Sequence, residues 1–84
     1  MPRYFFDTDD GQKHSPDEKG LELGGPWEAR ALALAVIPDM VKDVECDRDR
    51  RDIVSSVRDE NGRLVYMAAL SLVGGWEIEP PPRP

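Results

Sequence analysis

The chain is short of the residues that most often carry chemistry. It holds one cysteine and one histidine in 84 residues. A lone cysteine, Cys46, cannot close an internal disulfide, and the carboxylates of Glu45, Asp47 and Asp49 around it disfavour a thiolate, so it reads as an incidental thiol at a helix end. His14 has Asp17 close enough in sequence for an acid/base pair, but the adjacent hydroxyl, Ser15, falls on the opposite face of a strand, and catalysis needs convergent groups. No glycine loop of the phosphate-binding kind is present, and no internal repeat. No run reaches the 18 apolar residues of a membrane span, and no basic segment followed by an apolar one opens the chain. The expectation is a cytoplasmic protein with no membrane association. Positive charge is also in deficit: the net charge of -6 argues against direct nucleic-acid binding, which needs a basic patch.

What is present is organised around Gly25 to Glu45, the only segment long and Ala/Leu-rich enough for a multi-turn helix. Gly25 suits the N-cap, Pro26 the first helical position, and Glu28 the positive end of the helix dipole. Ala29, Ala33, Val36, Ile37, Met40, Val41 and Val44 share a core-facing side, with Leu34 and Trp27 on its border. Pro38 interrupts the pattern, and a kink with the proline on the outer surface is expected, a break into two helices being the alternative.

Arg3–Phe6 reads as a strand ended by Asp9-Asp10-Gly11, followed by a weak strand at Gln12–Ser15 and an extended piece at Leu21–Leu23. After the helix, Asp47–Asp52 is a mixed charge run that reads as a solvated connection. Ile53–Val57 and Leu64–Leu72 are the clearest strands, and Asn61-Gly62 between them predicts a type I′ hairpin. The order ββαββ implies an α+β two-layer fold, an antiparallel sheet of two hairpins with one Pro-kinked helix on one face. Residues 1–75 form the single domain and residues 76–84 a Pro-rich C-terminal tail.

The acids Asp7, Asp9, Asp10, Asp17 and Glu18 invite comparison with a calcium loop. The frame fails where the turn is made, because Gln12 stands where that loop requires glycine. They read as solvated turn acids, and no metal or cofactor is expected.

The last strand carries the functional expectation. Leu64, Tyr66, Ala68 and Leu70 point one way and Val65, Met67 and Ala69 the other, so both faces are apolar, while one helix covers one face. Either Trp76 and Ile78 fold back over the second face or a second copy of the protein covers it, and the second copy is favoured. The expected partner interface is Phe5, Val65, Met67 and Trp76. The function expected is that of a non-enzymatic protein-interaction or regulatory module, as a homodimer or with another protein. Two alternatives stand behind it: an acidic inhibitor imitating nucleic acid, whose acids are here interrupted by Lys42, Arg48, Arg50, Arg51, Arg58 and Arg63, and a small enzyme using His14.

The opening Met1-Pro2-Arg3-Tyr4-Phe5-Phe6, the Asp10-Gly11 turn, Asp17, Gly20, Leu23, the Glu28-Ala29-Arg30 of the helix and the Asp59–Arg63 turn together resemble a family of small uncharacterised proteins of rhizobia and related alphaproteobacteria. The resemblance runs from Met1 to about Leu70. Members of that family usually carry His where this chain has Asp7, and rarely proline in the helix, so no role for that His carries over. The resemblance implies a shared fold and a bacterial source, and no activity.

Overall fold

The computed structural model describes residues 1–44 and 49–84. Cys46, the end of the expected helix at Glu45 and the first part of the charge run lie outside the described residues. Six elements follow in order: β1 (Arg3–Asp9), β2 (His14–Ser15), β3 (Leu21–Glu22), α1 (Pro26–Asp43), β4 (Arg50–Arg58) and β5 (Leu64–Val73). The described residues form an antiparallel sheet of five strands with one helix, an α+β fold. The sheet runs β2-β1-β4-β5, with β3 also on β1.

The helix starts as its sequence directs. Pro26 takes the first position, and Glu28 reaches back to accept the N–H of Gly24 at 2.5 Å. Pro38 stands inside one continuous helix, on its exposed side, so the two-helix alternative is not what forms. Ala29, Ala33 and Ile37 are buried; Val36 and Met40 are half-buried and Val41 is exposed. With Tyr4, Leu23, Ile53 and Val57 they make the core, on the helix side of β1 and β4. Small residues at 29 and 33 let the helix approach closely, which also limits how much apolar area this core removes from water.

Two strands are longer than their apolar runs. β1 extends to Asp9 and β4 starts at Arg50, so part of the expected solvated connection is sheet, and Arg51 within it is buried. Its guanidinium donates to the Asp10 carbonyl at 3.2 Å, and its Cδ would lie 2.7 Å from a Cβ at Gly11, which keeps glycine there at φ +92°. The β4–β5 turn is not type I′. Among the described residues none other than glycine has positive φ, so Asn61 does not, and in this turn Gly62 alone does at +79°. Gly62 N–H donates to Asp59 O, Asp59 N–H to Arg63 O, and Asp59 Oδ1 accepts from Asn61 and Arg63, the bonding of a type I turn followed by a left-handed glycine. The side chain of Asp59 supplies the acceptors that make the longer turn cheaper than the two-residue one.

Candidate interaction surface

The two edges of the sheet are built differently. Along the outer edge of β1, β2 pairs with Thr8 and Asp9 and β3 with Arg3 and Tyr4. Residues 16–20 stand opposite residues 5–7, so a single strand is broken by a five-against-three bulge. Asp17 fills the break. Its Oδ2 accepts the Phe6 N–H at 3.1 Å, which the missing strand would have taken, and its Oδ1 accepts from Lys19 and Gly20.

Behind the break, Asp7 is buried and held by Arg58, whose Nε donates to Oδ2 at 2.6 Å and whose Nη2 donates to Oδ1 at 3.0 Å. The Asp17 N–H donates to Asp7 Oδ1, and Arg58 Nη2 also reaches the Asp17 carbonyl. Hydrogen bonding from Arg58 holds the Asp7 carboxyl below its usual range, against the opposing effect of burial. At Asp17 burial is the largest influence and pushes upward, but the N–H groups of Phe6, Gly20 and Lys19 together outweigh it and leave the carboxyl lowered. Asp7 is therefore an ion-paired strand residue, which corrects its reading as a solvated turn acid. Asp9 and Asp10 do serve the turn, accepting the N–H groups of Gly11, Gln12 and Lys13. His14 is exposed with Nδ1 at 3.8 Å from Asp9 Oδ2, so its nearest carboxylate is Asp9 and not Asp17.

The other edge, β5, carries the apolar surface. From Leu64 to Val73 it has no charged residue and no proline, and among the described residues no strand pairs with its outer side. Met67 is 59 % exposed and Val73 68 %, and Leu70 and Leu72, on the helix side, are also open. Two apolar recesses lie between α1 and β5. Pro26, Trp27, Arg30, Val65 and Tyr66 line one, and Val41, Val44, Ile53, Leu70 and Leu72 line the other, of about 100 Å³. Trp27 is 78 % exposed, with the Arg30 guanidinium 5.6 Å from its ring and 5.7 Å from that of Tyr66.

The four residues expected at an interface do not form one patch. Met67 is exposed on the face away from the helix. Val65 packs against the helix-side core, because a register shift between Val57 and Arg58 leaves it as the extra residue of β5 and turns it off the alternation. Phe5 is half-buried with the Arg58 guanidinium 5.3 Å from its ring, and β4 separates it from β5. Trp76 is 62 % exposed beside Pro80–Pro84 and Asp49, so the tail stays off the face of β5. The face away from the helix is continuously apolar only along β5; on β1 and β4 Arg3, Asp7, Arg58, Ser56 and Asp52 occupy it, with Phe5 and Val54 set among them. The sequence signal for the β5 flank was the ten-residue uncharged run itself, and Trp27 with Val41 was missed because both were assigned to the helix core or its border.

Residues 3–71 match the model of a family described as a domain of unknown function (DUF6894). The chain belongs to that family. The match spans all of β1 through β4, the helix and most of β5, so the clasp formed by Asp7, Asp17 and Arg58 lies within the DUF6894 domain, as does the apolar flank up to Ser71. No curated protein and no solved structure matches the chain. No helix among the described residues is long and apolar enough to cross a membrane.

Proposed function

We propose that this DUF6894 domain is a non-enzymatic interaction module of the bacterial cytoplasm that works through the flank of β5. The observation that carries the reading is an uncharged ten-residue strand at a sheet edge, open on its outer side and flanked by two apolar recesses. Folded proteins normally blunt such an edge with charge, proline or a bulge, as this chain does on its other side, because an open apolar edge templates association. The polar groups nearest to a catalytic cluster, Asp7, Asp17 and Arg58, are tied to one another and to backbone groups, which suits holding a broken strand in register.

The test is capture by the tagged protein, wild type against a Met67→Lys/Leu72→Lys variant. Any species that the flank retains, a second copy included, is lost from the variant while the circular dichroism spectrum stays native. Equal capture by both proteins would place the interaction elsewhere.

A further inference from the structure

We propose that the occupant of the β5 flank is a second copy of this chain, paired antiparallel to β5 edge to edge so that the two sheets continue as one. The proposal rests on the flank being the interaction surface and names what covers it.

The inequality of the two edges fixes the mode. The outer edge of β1 is in two-residue pieces, split by Pro16–Gly20, and the N–H of Phe6 inside the split is already taken by Asp17. A β5 edge cannot add to it, so head-to-tail growth is closed off and self-association joins β5 to β5 about a two-fold axis, ending at two chains. The regular pairing segment is Tyr66–Val73, beyond the bulge. Its uncharged side chains bring no like charge into the seam, although each chain carries a net -6.

The helix position selects a copy over a foreign strand. α1 lies over both β4 and β5 and runs in the direction of β5, with Pro26 and Trp27 beside Val65 and Tyr66 and with Val41 and Val44 beside Leu70 and Leu72. A two-fold axis normal to the joined sheet keeps both helices on one side and antiparallel. α1 lies nearer β4 than β5, so its axis is offset from β5 by between half and one whole strand spacing on each side, and with one spacing across the seam the helix axes stand about 10–14 Å apart, from a strand separation of ~4.8 Å. The near end of that range meets the distance at which helices pack, about 8–10 Å. Trp27, Leu34 and Val41, spaced by seven, line the side of α1 that faces the seam. The recess at Trp27 and Tyr66 of one chain then lies beside the recess at Val41, Leu70 and Leu72 of the other. Arg30 comes toward the negative end of the facing helix, and the two dipoles oppose. A flank about 33 Å long at ~3.3 Å per residue and two layers deep presents on the order of 500–700 Å² per chain, close to the ~600–1,000 Å² per partner of a specific interface.

Sedimentation equilibrium of the full chain at micromolar concentration tests it, with Ala69→Lys and Ala69→Glu as variants, since residue 69 lies near the two-fold axis and its side chain is exposed. The wild type is expected at twice its 9.5 kDa mass. Each variant alone is expected at the single mass with a native dichroism spectrum, and an equimolar mixture is expected to return to the double mass. The β5 amides should exchange on the order of tenfold faster in either variant alone than in the wild type. A wild type of single mass, or a double mass that both variants retain, overturns the proposal. A wild type of single mass whose β5 flank still captures another species, lost in Met67→Lys/Leu72→Lys, overturns the second copy alone; equal capture by that variant overturns the interaction surface as well.

Discussion

At the scale of single residues the most informative group is Asp7. It lies in a strand, buried, with both carboxylate oxygens engaged by Arg58 and one also by the Asp17 N–H. Because its folded pKa is lowered from 3.8, its contribution to stability is fully present above the unfolded value and is lost as pH falls through the folded one. Unfolding midpoints measured from pH 6 down to pH 2 should therefore fall for the wild type below about pH 4–5. They should fall less steeply for Asp7→Asn, with Asp10, Asp17 and Asp59, also lowered, keeping part of the slope. At pH 7 the same variant should lose about 1.5–3 kcal/mol, the range for a hydrogen bond to a charged group, toward the low end because Arg58 is one-third open to water. Ser55 behaves in the opposite way. Its hydroxyl is buried with no hydrogen-bond partner among the described residues, so Ser55→Ala in chemical denaturation should be neutral or stabilising by up to about 1 kcal/mol.

At the scale of elements, the helix and the interrupted strand were read from the sequence with unequal success. The helix was legible because Gly25-Pro26 and Glu28 announce its start and Ala29, Ala33 and Ile37 give it one buried side. Pro38 was legible as a misfit but not as a mere interruption, since only the structure shows it on the exposed side of one continuous helix. Pro38→Ala restores an N–H to the Leu34 carbonyl and should raise stability by about 1–3 kcal/mol in thermal or denaturant unfolding. The strand pieces β2 and β3 are too short for any alternation to declare them, and the element that joins them is a side chain, Asp17, acting as backbone. The turn at Asn61-Gly62 was identified in place but not in type, because Asp59 offers acceptors that a dipeptide preference does not count.

At the scale of the whole molecule, the asymmetry of the sheet sets how the domain meets others. One edge is closed by a bulge and an ion-paired clasp; the other is open and apolar over ten residues. The tail beyond Gly75 is exposed and sits against its own prolines and Asp49, so a chain ending at Gly75 should keep the thermal midpoint and the number of chains per particle of the full protein. A drop in either on truncation would show that Trp76 or Ile78 contributes to the fold or the interface. If the protein is a dimer, its midpoint should also rise with protein concentration, as mass action requires.

The sequence alone determined the α+β class, the order of elements, the helix start and the uncharged final strand, because each follows from local periodicity and capping chemistry that act within a few residues. The tertiary structure decided the burial of Asp7 and Arg51, the inward turn of Val65 and the separation of Phe5 and Trp76 from the apolar flank. These depend on which strand lies beside which, and on where an extra residue shifts the register. Such facts are set by contacts between residues some 50 positions apart, such as Asp7 with Arg58, and no local pattern encodes them.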